Sequence, residues 1–543
     1  MRTTNVRHVV TDLVGDWGLW QLNIVMFSIS ISLFSALNNL SVSFYAPNIK
    51  YWCTDNDTTT TTTSASNQTF KSTDYYCLNG CHNWTFDKSV FKSTIIDEWD
   101  LTCDKHGLAS LSQSLYMVGY VLGALIFGCL SDRFGRQPIL WLTVILEIMA
   151  GLSSALAVNI IQFIISRMIL AFASNGRLLT TFMLVNECVG TKYRATFGMA
   201  VQIGWALGYC LLPGISYMLP NFRHLLLATS IPETIWLVWL IVIPESPRWL
   251  LANGQLGRAE REIKRALRLN KLSDNCLDSQ PSIELSKIDV TNSDDDNSDE
   301  ITIKSNNDNN NNRHKPRFYD IFMLPNLRRT TLIMYFTWFV NSFVYYGISL
   351  NIGDFGGNLF INFFVAGLIE FPSYLFPLMA FPYIGRRPLT SGLMYLSGLS
   401  CLAVIPLLTV PSVWPRLTVA LIGKFFITSS YGVIYVYAAE VYPTVVRQVG
   451  VGSCSVAARF GSILAPFVKE LNIYTGMSVV MSIFGGLSIA DGVSAHFLPE
   501  TRGQQIADTI DEAEQLNRRR TINIKQTNNG AYNLHVTNLI EKT

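Results

Sequence analysis

The sequence predicts an all-α membrane protein with twelve transmembrane helices in two halves of six. Three observations predict this fold class: a low charge content, twelve long apolar runs, and short motifs that recur between the two halves. Only 15% of the 543 residues are charged and 49% are hydrophobic, whereas roughly 25% of an ordinary soluble protein is charged. This composition argues against a water-soluble enzyme.

Charged residues are concentrated in four polar segments, 1–19, 46–108, 244–327 and 499–543. The rest of the chain contains twelve apolar runs, each long enough to cross a hydrocarbon core, which takes about 20 helical residues. The lipid bilayer is therefore an expected partner. Nucleic acid is not, because the net charge is only +2 and no long basic stretch is interleaved with aromatic residues. The first six runs lie near 20–45, 109–130, 138–158, 160–184, 196–217 and 223–243, and the second six near 328–352, 358–384, 388–410, 415–440, 448–471 and 474–498.

Basic residues in the short loops predict the orientation of the chain. They follow the second, fourth, eighth and tenth spans, whereas most of the opposite loops are shorter and poorer in Lys and Arg. Both termini, 1–19 and 499–543, are therefore predicted to be cytoplasmic, and the N-terminus lacks the pattern of a cleavable signal. The basic residues are Arg133, Arg136, Lys192, Arg194, Arg386, Arg387 and Arg447.

The segment 46–108 is then predicted to be extracellular. It contains three N-glycosylation sequons, which begin at Asn56, Asn67 and Asn83. It also contains four cysteines, which allow two disulfides with three pairings that the sequence does not separate, or free thiols. The four cysteines are Cys53, Cys77, Cys81 and Cys103.

The segment 244–327 divides the membrane part into a half at 20–243 and a half at 328–498. Its residues Gln255–Leu269 have apolar side chains at helical spacing and predict an amphipathic helix at the membrane face. Residues 289–312 are rich in Asp, Asn and Ser and nearly lack apolar side chains, so they are predicted to be a disordered linker.

The two halves repeat three short patterns at separations of 250 to 255 residues. A parallel repeat of six plus six helices is the layout of a major facilitator transporter, whose halves rock about a site near the bilayer midplane. The matched stretches are Phe134–Pro138 with Ile384–Pro388, Glu187–Arg194 with Glu440–Arg447, and Pro244–Ser246 with Pro499–Thr501.

The motif residues are candidates for a gate. Ion pairs among them would hold one conformation and break in the other, although each arginine also fits a simple positive-inside anchor. In the second half, Pro382 and Tyr383 replace an acid-base pair, which predicts asymmetric gating. The gating candidates are Asp132, Arg133, Arg136, Glu187, Arg194, Glu440 and Arg447.

From about Asp16 to Gly503 the chain resembles the organic cation, carnitine and organic anion transporters of solute carrier family 22. The resemblance implies a plasma-membrane carrier of small organic ions, working by uniport, exchange or ion-coupled symport, without covalent chemistry or a cofactor. Many members have six cysteines in the outer loop where this chain has four. The stretches that carry the resemblance are Glu98–Cys103, Gly128–Arg136, Glu187–Gly190 with Arg194, Pro244–Leu250, Gly356–Leu359, Ala439–Arg447 and Leu498–Gly503.

Ionisable residues inside the spans are costly there and are candidates for substrate binding. Arg459 lies 12 residues from Arg447 and 10 from Lys469, which places it near mid-membrane at about 1.5 Å per residue. A substrate carboxylate would be a bidentate partner for its guanidinium. Lys424 is the second candidate. The alternative is that Arg459 pairs permanently with an internal acid such as Glu370.

The resemblance adds further candidates. Cation carriers of the family typically have Asp at the position of Arg459 and often at that of Asn362, whereas carnitine and anion carriers have Arg at the former. Trp338 and Tyr345 match aromatic positions of the cation site, where ring faces attract an ammonium. Gln202, a polar residue of the fifth span, and Glu370 complete the set of substrate-binding candidates.

These residues favour a carboxylate-bearing zwitterion, such as carnitine, or an organic anion as substrate. Arg177 would add to an anion site if it faces inward. A plain organic cation, a sugar and a non-transporting receptor or adaptor on the same fold are the alternatives. No Walker loop and no Cys/His cluster with metal spacing is present in the sequence, so neither ATP drive nor a metal is predicted.

Overall fold

The structure, a computed structural model, describes residues 14–53, 84–190, 193–270, 320–443 and 446–503. The predicted sequons at Asn56, Asn67 and Asn83, the cysteines Cys77 and Cys81, and the linker 289–312 lie outside the described residues. Cys103 is within them and forms a disulfide bond.

Twelve long helices dominate the described chain. Residues Val42–Tyr45 continue the first helix, and a 3-10 turn at Ile231–Thr234 interrupts the sixth. The prediction of an all-α membrane protein is confirmed. The helices are α1 (Leu19–Leu40), α2 (Gly107–Phe134), α3 (Arg136–Ala155), α4 (Ile160–Cys188), α5 (Arg194–Met218), α6 (Phe222–Val242), α7 (Pro325–Leu350), α8 (Leu359–Ala380), α9 (Arg386–Leu407), α10 (Val413–Val441), α11 (Arg447–Thr475) and α12 (Met477–Ala495).

Ten of these helices are long and apolar enough to span a membrane by themselves. The other two, α5 and α7, have 25 and 26 residues and are also long enough to cross a membrane. In α7 the polar and aromatic side chains that lower the hydropathy are buried, among them Thr337, Asn341 and Tyr346. They face protein instead of lipid, which is where polar groups in a membrane are tolerated.

The short elements lie in the connections. Strands β1 (Tyr51–Cys53) and β2 (Trp84–Phe86) form an antiparallel pair after α1. Where the sequence predicts an amphipathic helix, the structure has a helix at Leu256–Leu269. The remaining short helices are Ile95–Glu98, Cys103–Lys105, Pro247–Ala252, Asp320–Met323 and Ile352–Phe355.

Helix packing repeats between the halves. In the first half, α1 packs on α5, α2 on α4 and α3 on α6; in the second, α7 packs on α11, α8 on α10 and α9 on α12. The halves meet where α2 packs on α11 and α5 on α8. Every one of these pairs is related to another by a shift of six helices, so the sequence repeat corresponds to a structural repeat.

Close approach of α2 and α4 depends on two glycines. A methyl group at Gly119 or Gly123 would overlap the backbone carbonyl of Met168 or Phe172 on α4. Small residues four apart allow such contacts between membrane helices. This packing fixes α2, which also borders the other half, against the first half of the bundle.

The bundle has two ends. The motif end is the side that carries the repeated motifs, at the C-termini of α2, α4, α8 and α10. The loop end is the opposite side, where the connection from α1 to α2 lies.

Candidate functional site

Arg459 lies in the middle of α11, and none of the described carboxylates pairs with it. Its guanidinium carbon is 4.7 Å from the centre of the Tyr120 ring on α2, across the interface between the halves. The phenols of Tyr346, Tyr431 and Tyr435 surround it. Among the residues that the structure describes, no Asp or Glu pairs with Arg459, and its side chain remains partly exposed. Cation–π attraction stabilises the guanidinium while leaving its N–H donors free for an acid.

Lys424, by contrast, has an internal acid. Its Nζ lies 3.3 Å from Oε1 of Glu370, and both side chains are fully buried. The ammonium also donates to Oγ of Ser349 at 3.1 Å and lies 3.9 Å from the centre of the Tyr209 ring. The structure therefore pairs Glu370 with Lys424, not with Arg459, and the charge of Lys424 is neutralised within the protein.

Glu370 accepts two further hydrogen bonds. The hydroxyl of Tyr345 donates at 2.6 Å and that of Tyr374 at 2.9 Å. Tyr345 in turn accepts a hydrogen bond from Nε1 of Trp205 at 3.0 Å. Since Trp205 lies on α5 and Tyr345 on α7, this network joins the two halves near the membrane centre.

The predicted aromatic pair on α7 is linked through α10. The Trp338 ring lies 4.4 Å from that of Tyr435 and 6.3 Å from that of Tyr431, and the Tyr345 ring lies 6.1 Å from that of Tyr431. Trp338 is fully buried, whereas Tyr435 is 37% exposed. The rings that can meet a ligand in this conformation are therefore those of α10.

The other polar candidates have different surroundings. Gln202 is partly exposed on α5, three residues before Trp205. Asn362 is 2% exposed and donates to the carbonyl of Gly356 at 2.7 Å, so it holds the turn between α7 and α8 at the loop end. Asn362 is a structural residue in this conformation, away from Arg459.

Arg177 does not face the interface between the halves. It forms a buried ion pair with Glu147 of α3, 2.7 Å between Nε and Oε2, and stacks 4.0 Å from the Trp236 ring of α6. Arg167, also buried, lies 4.5 Å from the Tyr116 ring. The first half thus neutralises or screens its own interior arginines, and Arg177 does not add to an anion site.

At the motif end, the gating candidates pair within each half. Nε and Nη2 of Arg136 donate to the two oxygens of Glu187 at 3.1 and 2.6 Å, and Nη2 also reaches Asp132 at 3.0 Å. Arg386 and Glu440 form the corresponding pair in the second half at 3.1 Å. These contacts stabilise the ends of the helices inside each half.

Three gating candidates are outside these pairs. The Arg133 guanidinium lies 5.4 Å from the Phe134 ring. Nε of Arg447 donates to the carbonyl of Tyr442 at 3.4 Å. The side chain of Arg194 is outside the described part of the chain.

At the loop end, polar contacts join the halves. Nδ1 of His106 and Oε2 of Glu470 are 2.6 Å apart, and Glu470 also accepts from Ser110. Nζ of Lys469 donates to the carbonyl of Ala46 at 2.9 Å. We call these contacts the loop-end latch. Asp354 adds to it by accepting from Asn48 and Asn472, one on each half.

Sequence reasoning missed several of these residues. Tyr431 and Tyr435 follow Lys424 by seven and eleven positions, so helical spacing placed all three on one face and was a usable signal. Nothing in the sequence singled out Tyr120 or the acid Glu470, because each acquires its role only from a partner in the other half.

The comparisons with known proteins agree with this arrangement. The sequence profile described as "Sugar (and other) transporter" matches residues 56–512. The chain is 36% identical over 437 residues to the "Organic cation transporter protein" of Drosophila melanogaster, covering 80% of this chain and 76% of the relative.

Two mouse proteins are similar at 33% identity. They are "Solute carrier family 22 member 21", with 81% of this chain and 74% of the relative covered, and "Organic cation/carnitine transporter 2", with 80% and 74% covered. Among solved structures, the inward open xylose transporter XylE from E. coli has a TM-score of 0.59 at 18% identity, covering 94% of this chain and 100% of the other.

The repeat of six helices and a central site between the halves define a membrane transporter of the major facilitator type, and the match to the xylose transporter supports that fold. It is not an enzyme. The chain belongs to the organic cation, carnitine and organic anion transporters of solute carrier family 22.

Proposed function

We propose that this transporter carries a small organic ion with a carboxylate, either a zwitterion of the carnitine type or an organic anion, across the plasma membrane by alternating access. The observation that carries the proposal is Arg459, a central cation that pairs with no described acid. A guanidinium at this depth is costly without a counter-charge, and a carboxylate offers two oxygens to its planar fork.

The neutral state of the Lys424–Glu370 pair strengthens this proposal. Because the two charges cancel, Arg459 gives the described centre its net positive charge. A substrate carboxylate would bind Arg459, and a positive group on a zwitterion would meet the partly exposed Tyr431 and Tyr435 through cation–π attraction. An anion without a positive group would use Arg459 alone.

For alternating access, we propose that the motif end is cytoplasmic, as the loop charges predict, and that this conformation opens toward it. The loop-end latch supports this, since His106 and Glu470 hold the outer ends of α2 and α11 together. Opening to the outside requires those contacts to break while the halves close at the motif end.

Labelled uptake in cells expressing the chain tests the substrate class. L-carnitine, p-aminohippurate and tetraethylammonium are compared with and without sodium, which also reports a coupled ion. Uptake of one of the two carboxylates above that of tetraethylammonium is expected. Preference for tetraethylammonium would contradict the proposal and favour an organic cation carrier.

Substitution of Arg459 tests its role directly. Arg459→Asp should abolish carboxylate uptake with unchanged surface expression, because it places a like charge against the substrate. Arg459→Lys, which keeps the charge but loses the bidentate fork, should retain part of the uptake. Unchanged uptake by Arg459→Asp removes this residue from the site.

The Lys424–Glu370 pair provides a matched control. Lys424→Gln alone leaves a buried carboxylate without its cation, so we expect poor folding and low surface expression. The double variant Lys424→Gln/Glu370→Gln removes both charges and should recover expression and measurable carboxylate uptake. If the double variant is expressed but takes up no carboxylate, Lys424 belongs to the substrate site together with Arg459.

A further inference from the structure

The helix Leu256–Leu269 at the motif end carries a stripe of arginines on one face. Arg258, Arg261, Arg265 and Arg268 recur at intervals of three and four residues, so their side chains share one side of the helix. Ala259, Ile263 and Ala266 lie on the opposite side, where all three are buried. We call the four arginines the basic stripe.

The helix is docked firmly against the first half. The backbone N–H of Trp20 donates to Oδ1 of Asn270 at 2.9 Å, and Nδ2 of Asn270 donates to the carbonyl of Val14 and to Gln21. Gly18 makes room for this contact, because a side chain there would overlap Asn270. The basic stripe therefore has a fixed position relative to α1.

At that position the helix lies beside the lipid-facing end of α6. Nη2 of Arg265 donates to the carbonyl of Val242, the last residue of α6, at 3.0 Å. On the last turns of α6, Val238 and Ile241 are each 67% exposed, and apolar side chains exposed on a membrane helix face acyl chains. Leu269, on the same face as the stripe, is 43% exposed.

The charges of the stripe are only partly balanced. Glu262 lies 3.8 Å from Arg265, and Glu260 pairs with Lys264 at 2.6 Å. Burial raises the pKa of the Glu262 carboxyl, and the nearby Arg265 and Arg261 oppose that rise. The other three arginines of the stripe are exposed, and no described carboxylate pairs with them.

We propose that the basic stripe binds the anionic headgroups of lipids in the adjoining leaflet, phosphatidylserine being the simplest example. This rests on the proposed orientation, since anionic lipids are concentrated in the cytoplasmic leaflet, where each nearby Lys or Arg contributes roughly 1 kcal/mol. The lipid's acyl chains lie along α6, and its headgroup meets Arg258, Arg261 and Arg268. Lipid binding thereby stabilises the first half in its docked form.

Thermal unfolding of the purified full chain in a neutral detergent tests this without any transport measurement. Dioctanoyl phosphatidylserine is titrated against dioctanoyl phosphatidylcholine and against inorganic phosphate. We expect phosphatidylserine to raise the unfolding temperature and the other two not to. An equal response to both lipids overturns the proposal, and a response to phosphate alone assigns the stripe to a free anion.

Matched variants localise the effect. Arg261→Gln/Arg268→Gln should raise the phosphatidylserine concentration for half of the shift by about thirtyfold, which follows from two lost arginines at roughly 1 kcal/mol each. Arg328→Gln/Arg329→Gln removes two exposed arginines from α7 at the motif end. This variant should leave the phosphatidylserine concentration for half of the shift unchanged. If both double variants raise this concentration equally, the basic stripe is not the lipid site. Should the first pair unfold, Arg258→Gln/Arg268→Gln replaces it.

One other occupant is available within the chain. Asp294, Asp295 and Asp296 lie in the connection that follows this helix and could neutralise the stripe. Asp294→Asn/Asp295→Asn/Asp296→Asn should leave the phosphatidylserine titration unchanged. If the triple variant responds to phosphatidylserine and the unsubstituted chain does not, the acidic segment occupies the stripe and the lipid proposal fails. None of these measurements involves uptake. Lipid binding can therefore be disproved while the proposed function holds, and the proposed function can be disproved while lipid binding holds.

Discussion

The two halves build the same cluster at the motif end with different tightness. In the first half, the Arg136 side chain is 6% exposed and donates hydrogen bonds to both carboxylate oxygens of Glu187. In the second, Arg386 is 18% exposed and both of its contacts go to Oε1 of Glu440, whose other oxygen accepts from Thr501. The repeated motifs therefore place an arginine–glutamate pair at the motif end of both halves, but the two pairs differ in burial and in hydrogen bonding.

The difference begins three to four residues before the arginine. Asp132 in the first half adds a second carboxylate to Arg136, and Pro382 stands in its place in the second half. There Arg502 instead donates to the carbonyls of Pro382 and Tyr383. A carbonyl dipole replaces a charged partner, so the second cluster is held by weaker interactions. The asymmetry of gating stays a prediction, which uptake kinetics of variants in the two clusters tests.

Loss of the glutamate should produce the largest difference. Glu187→Ala leaves a buried arginine without its bidentate partner and should destabilise the protein by about 3 kcal/mol. Glu440→Ala should cost about half as much, because Arg386 is more exposed. Thermal unfolding in detergent compares the two, with surface expression as the second readout. Equal losses would show that the halves are equally tight.

The glycine before each arginine should give the next largest difference. Gly135 has φ +99°, and an added methyl group would also meet Glu245 and Trp249. Gly135→Ala should cost about 2 kcal/mol in unfolding free energy. Gly385 has an ordinary φ of −65°, and its substitution by Ala would displace only the side chain of Glu500. A larger loss for Gly385→Ala would contradict this reading.

Arg502→Gln tests the replacement that is specific to the second half. It removes hydrogen bonds to two carbonyls and should lower the unfolding free energy by about 1 kcal/mol. The control is Arg133→Gln, because Arg133 is exposed and lies over the Phe134 ring. If both variants lose the same stability, Arg502 has no special role in the second cluster.

The smallest effect concerns Asp132, the second acid in contact with Arg136. The Asp132 side chain is 74% exposed, so Asp132→Asn should change the unfolding free energy by about 0.5 kcal/mol or less. The reciprocal Pro382→Asp should bring no more than a similar gain near Arg386. A loss above about 2 kcal/mol for Asp132→Asn would move the origin of the asymmetry from the bidentate pair to this acid.

The sequence predicted membrane helices better than it predicted contacts. Apolar runs and loop charges are local, so they identified every one of the described spans, including α7, which falls short on hydropathy alone. Arg459 was selected by depth along one helix, which is also local. In contrast, the sequence analysis considered Arg459 as the internal partner of Glu370, whereas the structure pairs Glu370 with Lys424 on another helix.

What the sequence by itself determined is the plan: a lipid solvent, twelve helices, two repeated halves and a family. It did so because hydrophobic length and motif spacing are properties of the chain. The tertiary structure alone decided which buried charges cancel. It paired Lys424 with Glu370 and Arg177 with Glu147, and it left Arg459 among tyrosines. A charge is neutralised by an opposite charge nearby in space. The packing of helices that are far apart in sequence decides which charges become neighbours.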